Sequence, residues 1–330
     1  MLDVFVWFLT LLLTVSAMIL PMALICAIVI PFIGVLVRYR ANYTPKRLQG
    51  LDQEGLSPES APNVGYFRMM KKVHRIEGWP GFFKGIMPYL IGNFIVVVLV
   101  SPVAVFLSLG SRVLPNGQVY IPAQTGVVMW IWTFALSLIP TVLLIPVQIL
   151  TNRAITTPHK LSFLAPRDAL RILLSPSERA GPLRLYLAPG LLATRIIEGL
   201  LGPFISVLHQ VVTIHLPLGF AHRLPFLAAS FSIVLGATIF LTPLRMIFTR
   251  LTLQRADAAV EDAGVQDEVY GEPVVELRGV DEAPYTGLVD CAKQIVREEG
   301  WRVLFRAWWV TVLGMMLPLL VPLLMPTTDA

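Results

Sequence analysis

The chain has 330 residues, of which 55% are hydrophobic and only 14% are charged, with a formal net charge of +5. Soluble domains carry about 25% charged residues, so this composition excludes an ordinary soluble protein and predicts a polytopic membrane protein. The two cysteines indicate no disulfide framework. No Cys/His cluster points to a metal, and no nucleophile–base pair or phosphate-binding loop points to an enzyme or a cofactor.

Six apolar stretches follow one another along the chain. Each approaches or exceeds the roughly 20 residues that a helix needs to cross the hydrocarbon core of a bilayer. The first lacks a basic N-terminal region and is too long for a signal peptide, so we expect it to be a membrane helix. Six crossings place both termini on the same side. The predicted spans are residues 4–37, 86–109, 122–150, 188–216, 224–250 and 305–325.

The connections between the spans alternate in length and in charge. The long connections are residues 38–84, 153–187 and 250–306, and they carry 22 of the 26 Lys and Arg residues. Positively charged loops of membrane proteins collect on one face. We therefore expect the three long loops on one side of the membrane and both termini on the other side.

The third long loop contains a stretch of different composition, residues 256–282. It holds nine acidic residues against Arg278 alone, together with Gly264, Gly271 and Pro273. Low hydrophobicity and high charge are typical of segments that do not fold on their own. We expect a flexible insertion here, which is either a solvated loop or a regulatory acidic segment.

A proline–arginine pair recurs near the end of the first, third and fifth spans. In each copy the arginine follows the proline by seven positions. A proline late in a membrane helix kinks it, because the ring removes a backbone donor and clashes with the preceding turn. Three such pairs at matching places indicate an internal repeat. The pairs are Pro31 with Arg38, Pro146 with Arg153, and Pro243 with Arg250.

A second recurring element follows each pair: a short amphipathic helix, an acidic-glycine turn and an aromatic-basic step. The first and third copies are strong and the second copy is weak. We expect short surface helices near residues 66–76, 166–174 and 286–298. The turns are Glu77 with Gly78, Ala180 with Gly181 and Glu299 with Gly300; the steps are Phe83 with Lys84, Tyr186 with Leu187 and Phe305 with Arg306.

This arrangement resembles the mitochondrial carrier family over nearly the whole chain. The resemblance implies an all-α membrane protein with six transmembrane helices in three pseudo-repeats and short surface helices between them. Repeat one is residues 1–110, repeat two is residues 111–220, and repeat three is residues 221–330 with the insertion 256–282. It also implies a monomeric, multi-pass protein of a mitochondrial membrane, with the inner membrane favoured and the outer one left open. Its partners would be membrane lipids and a small molecule, not nucleic acid.

The chain departs from the family's pattern at the ends of the odd-numbered helices. There the family places acidic and basic residues that form a ring of ion pairs and close the matrix side. We expect no such ring here. We expect Arg245 to meet lipid headgroups, water or an anion, because no acid stands at the corresponding positions. The acid positions hold Ile33, Gln148 and Arg245, and the first basic positions hold Leu36, Thr151 and Phe248.

The fourth span carries a polar stripe. Its polar and small residues lie within roughly 80° of one another at about 100° per residue. Charges in hydrocarbon are costly, so we expect the stripe to face the interior of the bundle or a water-filled cavity. The stripe consists of Arg195, Glu198, Gly202, Ser206 and His209.

Arg195 stands where the family contacts its substrate, seven residues after the position of the repeat's final glycine. The resemblance thus implies a mid-cavity site that attracts an anion, with Glu198, Asn93 and His209 as further candidate substrate-binding residues. Because Arg195 and Glu198 are three residues apart on a helix, they can instead form a purely structural ion pair. Both interpretations are open at this point.

The turns before the second, fourth and sixth spans are candidate lipid-binding sites. Free backbone amides at helix N-termini attract phosphate, and the family holds cardiolipin at these places. The alternative is a belt of residues that only meets the membrane interface, with Trp79, Trp301 and Trp308. The candidate lipid-binding residues are Gly78, Lys84, Gly181, Gly300 and Arg306.

Two functions fit these observations. The first is transport of a small, anionic metabolite across a mitochondrial membrane, without chemistry and without a cofactor. The second is a non-transporting role of an outer-membrane carrier homologue in mitochondrial fusion, lipid handling or protein insertion. The polar stripe and the strong loop motifs favour the first function, and the eroded charges at the odd-helix ends favour the second.

Overall fold

The computed structural model is almost entirely helical in the part of the chain that it describes. The described residues are 27–46, 65–108, 112–113, 119–120, 127–161, 166–215, 223–255, 272–279 and 283–324. The α-helices are α1 (27–41), α2 (Tyr66–Phe82), α3 (Ile86–Ser108), α4 (Val127–Leu143), α5 (Ile145–Thr156), α6 (Pro166–Leu173), α7 (Pro176–Ala180), α8 (Leu191–His215), α9 (Arg223–Leu253), α10 (Leu288–Glu298) and α11 (Trp308–Leu324).

Short elements complete the fold between these helices. Two 3₁₀ turns, Pro182–Leu185 and Trp301–Phe305, precede α8 and α11. Strands β1 (Arg112–Val113) and β2 (Val119–Tyr120) form an antiparallel pair between α3 and α4. The two strands belong to the connection that the sequence predicts to be short.

The helices overlap each of the six predicted spans. By length and hydropathy, two helices of the described part can cross a membrane on their own, Leu191–His209 and Leu224–Leu253. The number rises to four if each of two bent helix pairs is one span. The six-span arrangement therefore remains a prediction, and residues 4–26 of the first predicted span lie outside the described residues.

The short surface helices lie where the sequence predicts them. Helix α2 covers the first, α6 the second and α10 the third. Helix α2 continues past its predicted end, but its backbone turns sharply at Gly78, where φ is 67°. Only a residue without a side chain adopts this left-handed conformation readily. The acidic-glycine turn of repeat one is thus a true change of direction.

The proline kink predicted for the third span is present. Helices α4 and α5 are separated by Leu144 and bend by 49° relative to each other, and Pro146 is the second residue of α5. The equivalent Pro243 lies inside the uninterrupted helix α9.

Two buried apolar clusters connect the repeats. The larger one joins α5 and α9 to the surface helix α10, and it includes Ile149, Met246 and Ile295. The smaller one joins α1 to α2 through Val35 and Met69. Burial of such side chains contributes roughly 1.5–3 kcal/mol each. The surface helices are therefore part of the packed structure and not appendages.

Residues 272–279, which we call the strap, overturn part of the prediction for the insertion. Val274 and Val275 are 6% and 5% exposed and pack into the α1–α2 cluster. The Tyr43 N–H donates to the Glu276 carbonyl at 2.8 Å, and the Glu276 N–H donates to Asn42 Oδ1 at 3.1 Å. The expectation that all of 256–282 is a flexible insertion is therefore wrong for the strap. Two adjacent valines give this otherwise polar segment enough apolar area to dock, whereas residues 256–271 and 280–282 lie outside the described residues.

Candidate functional site

Each of the three recurring arginines is buried and paired with an acid. Arg38 pairs with Glu77, Arg153 with Glu178 at 2.6 Å, and Arg250 with Glu299 at 2.8 Å. All six side chains are at most 5% exposed. Breaking a buried pair by removing one partner costs about 3–5 kcal/mol, so these pairs are required for the fold of each repeat.

The basic residue of the aromatic-basic step adds a second cation in repeats one and three. Lys84 Nζ lies 2.6 Å from Glu77 Oε1, and Arg306 Nη2 lies 3.6 Å from Glu299 Oε2. In repeat two the equivalent Leu187 is 78% exposed. Repeat two thus holds its acid with a single cation.

The acid of repeat two is Glu178, which the spacing of the repeats does not find. The spacing predicts the turn at Ala180 and Gly181, yet Gly181 has a φ of −145°, unlike the left-handed Gly78 and Gly300. The available signal is a capping box, in which Ser175 and Glu178 bond to each other's backbone N–H at the start of α7. The capping box gives Glu178 hydrogen bonds in addition to its ion pair with Arg153.

The electrostatics of Glu178 follow from these contacts. Burial by itself raises the pKa of its carboxyl group, but the hydrogen bonds and the charge of Arg153, together with the Ser175 N–H, outweigh burial and hold the pKa below its usual value. The carboxylate is therefore ionised at neutral pH and accepts both arms of the guanidinium.

The three ion pairs also reach from one repeat to the next and close a ring. Lys84 Nζ donates to the Thr157 carbonyl at 2.9 Å, Arg153 Nε to the Thr252 carbonyl at 2.9 Å, and Arg250 Nη2 to the Asn42 carbonyl at 2.9 Å. Each acceptor belongs to the end of an odd-numbered span, where helices leave carbonyls unsatisfied and favour cations. We call this arrangement the capping ring. It joins the three repeats without the ion pairs that the sequence lacks.

A second polar constellation, the arginine cluster, connects α5, α8 and α9. Glu198 of α8 pairs with Arg195 on its own helix and with Arg245 Nε of α9 at 2.9 Å. Arg195 also donates to the side-chain oxygen of Gln148, and its guanidinium carbon lies 3.6 Å from the centre of the Phe248 ring. The structure thus places Arg195 and Arg245 on one carboxylate and Gln148 on Arg195.

The prediction that Arg245 has no acidic partner is wrong. Its partner Glu198 stands on an even-numbered helix of another repeat, so comparison of equivalent odd-helix positions did not find it. Glu198, the acidic residue of the polar stripe, thus lies between two guanidinium groups. The acid that pairs with Arg245 is therefore found on α8 and not at an odd-helix position.

Arg40 adds a third cation that the sequence analysis missed. It lies at the end of α1, is 6% exposed, and is within electrostatic range of Arg245 and Glu198. Its Nε and Nη2 atoms are buried without a hydrogen-bond partner among the described residues. In this part of the chain, the arginine cluster therefore contains three guanidinium groups, from Arg40, Arg195 and Arg245, and the carboxylate of Glu198.

The two other candidate substrate-binding residues make no described hydrogen bond to this cluster. Asn93 donates to the Tyr89 carbonyl one turn earlier on α3, and no described hydrogen bond joins it to Arg195 or Glu198. His209 lies near Ser230 and Phe226, between α8 and α9. It is fourteen residues beyond Arg195, which is about 21 Å along the helix.

The candidate lipid-binding residues divide into two groups. Lys84 and Arg306 direct their charges to buried acids, as described above. Gly78 and Gly300 have positive φ angles of 67° and 103° at the turns, as the prediction of tight turns requires. Lipid binding at Gly78, Gly181 and Gly300 remains a prediction.

Comparison with known proteins finds a similarity in the last third of the chain. Residues 223–321 match the family model described as mitochondrial carrier protein. No curated protein matches the chain. The matched residues contain α9, the Arg250–Glu299 pair, Arg306 and most of α11. They include the strap and all elements by which repeat three enters the capping ring. Residues 223–321 of the chain are thus similar to the mitochondrial carrier family.

Proposed function

We propose that the protein is a multi-pass carrier of a mitochondrial membrane, the inner one, and that it moves a small anionic metabolite through the bundle. The observation that carries this proposal is the arginine cluster, in which three guanidinium groups share the single carboxylate of Glu198. A buried excess of positive charge is costly unless an anion neutralises it. The protein supplies binding and needs no catalytic group.

Arg195 is the group that we assign to attract the anion. Its side chain is 12% exposed, and Glu198, Gln148 and the Phe248 ring hold the guanidinium on different sides. Its Nε atom is buried without a partner in the described part of the chain. Such a group is preorganised, because little side-chain entropy remains to be lost when an anion binds.

Glu198 is a positioning residue in this proposal. It orients Arg195 and Arg245 at the same time, and its negative charge keeps the anion-free cluster from carrying the repulsion of three adjacent cations. Its removal therefore has two opposite consequences. It increases the attraction for anions, and it loosens the geometry that receives them.

The test is anion uptake and thermal stability in liposomes that contain anionic lipid. Arg195→Ala leaves Glu198 with less compensation, and we expect uptake to fall by about two orders of magnitude, because truncating one partner of a buried charge pair costs roughly 2–5 kcal/mol. The double change Arg195→Ala with Glu198→Ala should recover folding more than uptake. Arg171→Ala is the matched control, since that arginine is 59% exposed on α6.

A second candidate function is a non-transporting role as a carrier homologue of the outer membrane. The capping ring favours it, because neutral backbone carbonyls replace the ion pairs that open and close in carriers. If the wild type exchanges no metabolite while the variants lose only stability, this role replaces transport. Protease protection on isolated mitochondria distinguishes the two membranes.

A further inference from the structure

We infer that the anion site of the arginine cluster extends between Arg40 of α1 and Arg245 of α9, and that it takes a small oxyanion with two negative charges. Both residues belong to the cluster that carries the proposed function, but neither stands at the contact position of Arg195. The inference rests on the proposed function in taking the bound anion to be the transported one. Binding itself requires no transport, so the two can fail separately.

Arg40 presents an unsatisfied edge of its guanidinium group. The side chain is 6% exposed, and both Nε and Nη2 are buried without a partner among the described residues. These two nitrogens form one edge of the planar guanidinium group, from which two parallel N–H bonds point outward. That edge fits two oxygens of a carboxylate, a phosphate or a sulfate in a bidentate contact. Leaving it empty costs the desolvation of a charged group.

Arg245 uses one of its nitrogens for the ion pair with Glu198. Its Nε donates to Glu198 Oε1 at 2.9 Å, and its terminal nitrogens make no hydrogen bond within the described residues. Its side chain is 37% exposed, so the packing of the described residues does not enclose it. Arg245 therefore offers a second set of donors beside Arg40.

The charges of the arginine cluster do not balance. Arg40, Arg195 and Arg245 contribute three positive charges and Glu198 contributes one negative charge. Two further negative charges are needed for neutrality, and one dianion supplies both. A monovalent anion leaves a buried cation unpaired, which favours the dianion over acetate or chloride.

The position of the site gives the dianion a structural effect. Arg40 follows Arg38 on the odd-numbered helix of repeat one, and Arg245 precedes Arg250 on that of repeat three. An anion held by both residues bridges these two repeats close to the capping ring. The ligand thus supplies negative charge between two odd-numbered helices that hold Ile33 and Arg245 at their acid positions.

The experiment measures thermal unfolding of the full chain in detergent with sodium sulfate, sodium phosphate or sodium malonate. Sodium acetate and sodium chloride at equal ionic strength are the monovalent comparison. We expect the three dianions to raise the melting temperature and the monovalent salts to leave it unchanged. A rise that Arg40→Met and Arg245→Gln leave intact overturns the site.

The change in melting temperature without added anion distinguishes a loss of binding from misfolding. Without added anion, Arg40→Met should melt at a higher temperature than the wild type, because it removes a buried cation that lacks a partner. Arg40→Lys keeps the charge but loses the two-nitrogen edge. It should bind sulfate about tenfold more weakly, the effect of losing one charge-assisted hydrogen bond. Equal binding by Arg40→Lys and wild type contradicts the bidentate site.

A phosphomonoester lipid headgroup carries the same phosphate chemistry as a free dianion, so a second arm uses nanodiscs. Phosphatidic acid in place of phosphatidylcholine stabilises the wild type but not Arg40→Met if the source is a lipid, and sulfate then adds nothing. Measurement of uptake distinguishes failure of the transport proposal from failure of the anion site. Sulfate binding without any uptake sinks the transport proposal and leaves the site, whereas uptake that Arg40→Lys does not affect sinks the site as a cargo site.

Discussion

Arg153 and Glu178 form a two-armed ion pair, with Nη1–Oε2 and Nη2–Oε1 distances of 2.6 and 2.9 Å. The same arginine donates to the carbonyls of Thr252 and Gln254 at the end of α9. One guanidinium group therefore holds its own repeat together and joins it to the next repeat. Repeats one and three divide this work between two cations, so repeat two depends most on a single pair.

Glu178→Gln should be strongly destabilising. The change leaves Arg153 buried with an incomplete partner, and we expect the free energy of unfolding to fall by about 3–5 kcal/mol. Thermal and denaturant unfolding in detergent measure the loss. The exposed Asp168 is the control, because its contact with Arg171 is 3.9 Å long and both side chains are more than half exposed. Asp168→Asn should cost less than about 1 kcal/mol. An equal loss from both changes contradicts the assignment of Glu178.

The contribution of Glu178 should depend on pH in a defined direction. Its pKa is lower in the folded protein than the usual value of 4.5, so its stabilisation is fully present above about pH 4.5 and is lost as the pH falls through the lowered folded pKa. Glutamine does not titrate. The melting-temperature difference between wild type and Glu178→Gln should therefore be constant near neutral pH and should shrink in acid. A difference that grows in acid contradicts the direction of the shift.

The features that were predicted correctly from the sequence are those that depend on local patterns. The surface helices and the recurring arginines follow from periodicity and spacing within one segment. The partners of those charges could not be predicted in the same way, because Glu198 meets Arg245 and Arg40 approaches both only after helices of three repeats have packed together. Glu178 was missed for a different reason, since its two-residue displacement from the expected turn hides it from a search at fixed spacing.

Cys291 should be unreactive in the folded protein. It is fully buried on α10, and burial raises the pKa of its thiol to about 12, so almost no thiolate is present at neutral pH. In a Cys26→Ser background, maleimide should label Cys291 only as the protein unfolds. Val289 provides the control, because it lies on the same helix and is 61% exposed. A Val289→Cys variant that also carries Cys291→Ser should react at once. Rapid labelling of native Cys291 contradicts the packing of α10.

The strap should contribute to stability through Val274 and Val275. Both valines are nearly fully buried against α1 and α2, and changing either one to alanine should cost about 1–3 kcal/mol. Leu277 is the matched control, since it lies on the same strap and is 47% exposed; Leu277→Ala should change stability by no more than about 0.5 kcal/mol.

Deletion tests the strap more severely. Removing residues 256–276 takes away both valines and the hydrogen bond between the Tyr43 N–H and the Glu276 carbonyl. We expect a larger loss of thermal stability in detergent than either alanine variant shows, because the α1–α2 cluster becomes exposed. A purely solvated insertion predicts no loss. An unchanged melting temperature for the deletion variant, with Val274→Ala equally neutral, would show that the strap does not hold repeat three to repeat one.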